Sequence, residues 1–405
     1  MPSNATMKRP AGLSARLFCS ALVASLALVL TACGGGDDED GGDNGTPAPN
    51  NPGNLISAQQ INQISAADIL AALTAPDSKV QGGVTPLYAV NSYRITYLTT
   101  DKDGAPTTAS GLVSVPVKAS GARSPVLSYQ HATTFHDDQA PSNKVEPIEP
   151  PLVLASLGYI VVAPDYVGFA ASKGQVHPYL TAAPTANVIV DMLKASDTWR
   201  QRTGVPDNGQ LFLAGYSEGG YATMAAHRAI HLDNGAMKQR LQAAVPGAGP
   251  YDVTETLDDQ LDRVGKLFPP LGELLNPGNL SKLPERVRNE VRDLLLKQMV
   301  PEDGDVAYQS LFLDRYIADD RQALARDHSV HLGWAPNVPV YLFHGRLDLT
   351  VPYSASESAL QTLRAAGASN VSLTDCTTPN FGHLDCVPEY FHFAVTRLGR
   401  IATDL

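Results

Sequence analysis

Leu211-Phe-Leu-Ala-Gly-Tyr-Ser217-Glu-Gly-Gly220 runs directly into Tyr221-Ala-Thr-Met-Ala-Ala-His-Arg228. The apolar run has the length of a buried strand, it stops at a glycine, and the alanine-rich continuation has helix-forming composition. The stretch therefore reads as strand, sharp turn and helix. Gly215-Tyr-Ser217-Glu-Gly219 fits G-x-S-x-G, in which a serine on a strained turn projects its hydroxyl and the flanking glycines let the helix pack against the strand. Ser217 is the expected nucleophile. The competing reading is an ordinary turn with a capping serine, and the strand before and helix after it weigh against that reading.

Working outward, the chain alternates strands and helices. Arg94–Thr100 and Gly111–Val117 flank the turn chemistry of Asp103-Gly-Ala-Pro106 and read as an antiparallel pair. Val126–Tyr129, Tyr159–Ala163, Ala243–Val245, Val338–Phe343 and Val371–Thr374 are short apolar strands. Helical segments are expected at 151–157, 185–200 and 354–366. Such alternation implies an α/β fold with a mostly parallel central sheet covered on both faces, with function at the carboxyl ends of the strands. Before these, Leu55-Ile56 and Ser65–Leu73 read as short peripheral helices.

The long segment 251–336 reads as a helical insertion. In Pro284–Met299, helical spacing puts Val287, Val291, Leu294, Leu295 and Met299 on one face. An insertion between two sheet strands is expected to cover their carboxyl ends as a cap and to supply apolar contacts to a substrate. The alternative is a surface elaboration with its own small core.

Serine nucleophiles need a base, an acid that orients it, and donors for the developing oxyanion. The strand ending at Phe343 runs into His344-Gly-Arg-Leu-Asp348, and the last strand leads to Asn380-Phe-Gly-His383. Ser217, Asp348 and His383 thus fall in the order Ser, Asp, His. Asp375 and Asp385 compete for the acid, and His344 and His131 for the base. Asp348 is preferred for its strand-end position, whereas the two histidines read as loop braces. No metal and no cofactor are expected, because no close cysteine pair has zinc spacing.

Gly-Tyr-Ser217-Glu-Gly-Gly, Ala-Pro-Asp165-Tyr-Val-Gly168, His177-Pro-Tyr-Leu180, His344-Gly-Arg-Leu-Asp348 and His383-Leu-Asp-Cys386 together resemble the secretory lipase branch of the α/β-hydrolases. The resemblance spans about 84–386. It implies an esterase or lipase with a helical cap, and it carries Ser217, Asp348 and His383 into a catalytic triad. After the Val126–Tyr129 strand the chain reads Gln130-His-Ala-Thr-Thr134, which departs from the His-Gly oxyanion patterns. One oxyanion donor is therefore expected from the backbone of Glu218, and the second from Thr133, with Ala132 next.

The first residues carry Lys8, Arg9 and Arg16, then an uncharged stretch, Leu17–Leu30, which is a signal-peptide pattern too short to span a membrane. Leu30-Thr-Ala-Cys33-Gly resembles the bacterial lipobox, which implies a signal peptide over 1–32 and a lipid-modified Cys33. Gly34 in place of aspartate suggests an outer-membrane destination. Residues 33–53, mostly Gly, Asp, Asn and Pro, should form a flexible tether to a hydrolase domain over 54–405. Cys376 and Cys386 then remain as a pair in an oxidising compartment, where a disulfide would bracket His383.

The full chain has 405 residues and a net charge of −11, and losing the three basic residues before Cys33 makes that −14. Nucleic acid is thereby disfavoured as a partner. The expected partners are a small-molecule or lipid ester and, through the anchor, a membrane. A serine peptidase on the same fold and a non-catalytic lipoprotein binding through the cap are the alternatives.

Overall fold

The computed structural model describes residues 51–76, 78, 84–267, 277–299, 301, 303–379 and 382–405. Cys33, the signal peptide and nearly all of the tether lie outside them. Gly53, the last residue assigned to the tether, is buried and donates its N–H to Leu98 O (2.7 Å), so it packs on the domain.

The described strands are β1 (Leu55–Ile64), β2 (Val90–Thr100), β3 (Pro106–Pro116), β4 (Ser124–Gln130), β5 (Ile160–Pro164), β6 (Asp207–Tyr216), β7 (Leu241–Gly247), β8 (Val340–His344) and β9 (Val371–Asp375). They form one sheet in the order β1-β2-β3-β5-β4-β6-β7-β8-β9. Every pair from β5 through to β9 is parallel, and the pairs among β1, β2, β3 and β5 are antiparallel. β4 and the second half of β6 are wholly buried, as expected for central strands covered on both faces.

Helices α1 (Ala66–Thr74) and α2 (Pro150–Ser156) share one apolar cluster with the sheet, whereas α3 (Ala182–Thr203) and α4 (Glu218–Asp233) cover the other face. After α5 (Ala236–Arg240) and β7 come the insertion helices α6 (Val253–Leu267), α7 (Glu285–Met299), α8 (Leu311–Ile317) and α9 (Arg321–Ala323). α10 (Tyr353–Ala365) and α11 (Val387–Gly399) flank β9. This is the α/β-hydrolase architecture.

Two expectations need correction. Leu55-Ile56 opens strand β1 rather than a helix. Its polar sequence LISAQQINQI lies mostly exposed at the sheet edge and is held by backbone pairing to β2, which leaves little hydrophobic signal in the sequence. In α7, Val291 and Leu295 are buried but Leu294 is exposed, so the buried stripe is narrower than the periodicity suggested. The side chain of Met299 lies outside the description.

The insertion does not pack as a separate core. Leu257, Leu261, Val291, Leu295, Phe312 and Trp334 belong to one cluster with Tyr221 and Met224 of α4, Val340 and Leu342 of β8, and Leu363 of α10. Its apolar faces are continuous with the interior of the domain.

Candidate active site

Ser217 sits at the β6–α4 junction with φ 61° and ψ −124°, a left-handed conformation that L-residues rarely adopt. Its N–H donates to Gly247 O on β7 (2.8 Å), which pins the turn to the sheet. Close approach explains the glycines. A Cβ on Gly219 would lie 2.1 Å from Gln130 O, and one on Gly215 2.3 Å from Gly219 O. The Ser217 side chain makes no cap hydrogen bond to α4. Its Oγ instead lies 2.8 Å from His383 Nε2.

His383 Nδ1 is 2.6 Å from Asp348 Oδ2. A carboxylate accepts only, so Nδ1 carries the proton and Nε2 presents its lone pair to the serine hydroxyl. Tyr216, the residue before the serine, donates its hydroxyl to His383 O (2.8 Å) and ties the histidine loop to the turn.

Asp348 is fully used as an acceptor. Oδ1 takes the N–H groups of Thr350 (2.8 Å) and Val351 (2.9 Å), and Oδ2 takes His383 and, at 3.2 Å, His344 Nε2. Burial pushes this carboxyl up, but the hydrogen bonds of His344 and His383 outweigh burial and hold it well below the ordinary carboxylate range. His344 is wholly buried. Its Nε2–H serves Asp348 and Val351 O (3.1 Å), so Nδ1 accepts from Ser356 Oγ (2.7 Å).

The other competing residues make different contacts. Asp375 accepts from Arg346 Nε (2.7 Å) and Tyr353 OH (2.5 Å), and Asp385 is exposed. His131 stacks on Tyr166 and bonds backbone carbonyls. Cys376 and Cys386 form a disulfide across a ten-residue separation that contains His383.

Ala132, Thr133 and Glu218 line the cavity into which Ser217 and His383 open. Its volume is about 510 Å³, within the range of small-molecule sites. Its walls are largely apolar. Among the described residues the insertion contributes Val253, Thr256, Leu257 and Gln260, all from α6, rather than residues of α7. Leu349 and Leu384 stand at the wall with most of their surface in solvent.

Two buried polar arrangements escaped the sequence analysis. Asp165 accepts from Ser110 Oγ (2.7 Å), Ser142 N (2.7 Å) and Ser142 Oγ (2.6 Å), bracing the loop after β4. The carboxyl of Glu218 lies 2.6 Å from His177 Nε2, with both side chains buried. Glycine-flanked Ser217 drew attention to Glu218 only as a backbone donor, and forty-one residues separate the partners. No group of three or more His, Cys, Asp or Glu among the described residues is placed to hold a metal ion.

Residues 148–265 match the family model for secretory lipases. Lipase 9 of Candida albicans is 22% identical over 352 residues, covering 78% of this chain and 74% of that protein. A secreted triacylglycerol lipase of Malassezia globosa is 22% identical over 343 residues, covering 75% and 70%. Among solved structures, a mutant form of the rice cell wall degrading esterase LipA from Xanthomonas oryzae superposes with a TM-score of 0.67 at 23% identity, covering 87% of this chain and all of that one. The fold, the family-model match and these relatives together make the chain a carboxylic-ester hydrolase on the α/β-hydrolase scaffold.

Proposed function

We propose that the protein cleaves carboxylic esters through an acyl-serine intermediate, with Ser217 as nucleophile, His383 as base and acid, and Asp348 as the group that orients the imidazole. The observation that carries this is the unbroken hydrogen-bonded chain from Asp348 Oδ2 through His383 (2.6 Å) to Ser217 Oγ (2.8 Å). Ser217 Oγ attacks the ester carbonyl carbon while its proton passes to His383 Nε2. The imidazolium so formed is stabilised by the ionised Asp348. The tetrahedral oxyanion takes the N–H of Glu218, at the start of α4, and that of Thr133 or Ala132. Collapse sends the Nε2 proton to the leaving alkoxide, and water then repeats the sequence on the acyl-enzyme.

The apolar cavity suits the acyl part of the ester. The protein is proposed to be exported and held to a bacterial membrane, the outer one, through lipid on Cys33. Labelling by a fluorophosphonate probe, mapped by peptide mass, should fall on Ser217. A panel of p-nitrophenyl esters from acetate to palmitate, run beside aminoacyl p-nitroanilides, should give turnover on the esters alone. Absence of Ser217 labelling would refute the mechanism.

A further inference from the structure

The insertion touches the site at a second place besides α6. Residues 305–309 run as an extended segment between the loop after β4 and His177. On one side, Asp305 N donates to Phe135 O (3.0 Å), and the Tyr308 hydroxyl donates to Thr134 O. On the other, His177 N donates to Ala307 O (2.7 Å) and Gln309 N donates to His177 O (3.0 Å), a parallel bridge centred on Tyr308. The Tyr308 ring stands edge-on to His177 at 5.0 Å and to Tyr179 at 5.3 Å, and lies 5.9 Å from Phe135.

His177 passes this contact to the nucleophile turn. Its Nδ1 faces Val167 O (2.9 Å), an acceptor, so Nδ1 carries a proton. Its Nε2 faces Glu218 Oε1 at 2.6 Å, where two lone pairs would repel, so a further proton lies between the imidazole and the carboxyl. This buried bond restrains the side chain of the first α4 residue, whose backbone N–H is the proposed oxyanion donor. The same five-residue segment therefore abuts both stretches that carry the oxyanion donors, 132–135 directly and Glu218 through His177.

We propose that residues 305–309 are a strap that sets the geometry of the oxyanion hole, with Tyr308 and His177 as positioning residues. This rests on the assignment of the donors to Glu218 and to Thr133 or Ala132. The strap makes the insertion part of the catalytic frame as well as a wall of the acyl cavity. Excising 251–336 should accordingly cost turnover on acetate esters, and not only chain-length preference. Losing an interaction made in the transition state but not in the ground state lowers kcat while leaving KM.

Tyr308→Phe tests this, because it keeps the ring packing and removes only the hydroxyl. On p-nitrophenyl butyrate kcat should fall about tenfold, a fraction of the 10²–10³ that follows complete loss of an oxyanion donor, with KM held within about twofold. A boronic acid, which forms a tetrahedral adduct on the serine, should lose affinity by the same factor as kcat. Glu218→Ala should show the same pattern, and Glu218→Gln should recover most of the loss, since its amide N–H donates to His177 Nε2. Tyr316→Phe removes an equivalent hydroxyl, bonded to Asp258 Oδ1 (2.8 Å) inside the insertion, and should leave kcat unchanged. Active sites are counted by fluorophosphonate titration so that a folding loss is not read as slow chemistry. Labelling of Ser217 with an unchanged Tyr308→Phe kcat, or with equal effects of Tyr308→Phe and Tyr316→Phe, would overturn the strap alone. Absence of labelling in the wild-type protein would overturn the underlying mechanism and the strap with it.

Discussion

Asp348→Asn separates the proposed acid from its neighbours, and the structure gives the size of the effect. Asparagine has one acceptor oxygen where aspartate has two. The N–H groups of Thr350 and Val351 (2.8 and 2.9 Å) would claim that oxygen, because turning the amide around leaves both of them unsatisfied at about 1–3 kcal/mol each. The amide NH₂ then faces His383 Nδ1 and His344 Nε2. To meet a donor, His383 moves its proton to Nε2, which then donates to Ser217 Oγ instead of accepting from it. The resting enzyme has lost its base, and kcat should fall ~10⁴-fold, or about 5 kcal/mol of transition-state stabilisation.

The assay is kcat and kcat/KM on p-nitrophenyl butyrate across pH, with the rate of fluorophosphonate labelling and the thermal midpoint measured on the same protein. The depressed carboxyl of Asp348 also contributes stability. That contribution is complete above the unfolded-state carboxylate pKa of about 3.9 and is lost as pH falls through the lower folded value. Any stability advantage of wild type over Asp348→Asn from this source should therefore vanish in strong acid. Asp375→Asn removes the negative charge of a half-exposed ion pair and Asp385→Asn a solvated charge, so both should keep kcat within about tenfold. Near-wild-type turnover by Asp348→Asn, with a large loss from either of the others, would refute the assignment of the acid.

Other outcomes follow from the same geometry. If the proposed lipid on Cys33 is the anchor, Cys33→Ser should release active enzyme from the membrane fraction, and undiminished membrane association would count against lipidation. Replacing Cys376 and Cys386 together by serine should destabilise the fold by ~2–3 kcal/mol on the loop-entropy model for a ten-residue separation, read by denaturant unfolding. Thr256→Phe, on the α6 wall of the cavity, should lower kcat/KM for palmitate relative to acetate by about tenfold or more while sparing acetate, measured on the ester panel.

What the sequence revealed and what it hid have physical causes. The run Leu211–Ala214 is buried on both faces of a parallel sheet, so burial itself writes a continuous apolar signal ending at glycine. Asp348 and His383 could be singled out as candidates because both follow strands in the chain order that this sheet connectivity imposes, and folding brings them within hydrogen-bond distance of each other. β1 was not, since an exposed edge strand is held by backbone hydrogen bonds, which any sequence can make. The excess apolar position at Leu294 shows the limit of periodicity, which marks a stripe but not its width. The bond between His177 and Glu218 was invisible for a different reason. Its partners are ordinary polar residues, and only folding brings them into a water-poor space where a single hydrogen bond has directional force.

The conformation of Ser217 sets stability against activity at one position. A left-handed, non-glycine turn costs about 1–3 kcal/mol, and here it is held by the Gly247 hydrogen bond and the packing of α4 on the sheet. Glycine would adopt the turn without strain, against about 0.5–1 kcal/mol of extra chain entropy in the unfolded state. Selection for thermal resistance alone should therefore favour glycine at 217, so a stabilised but inactive variant is an expected product of any screen that does not also read ester turnover.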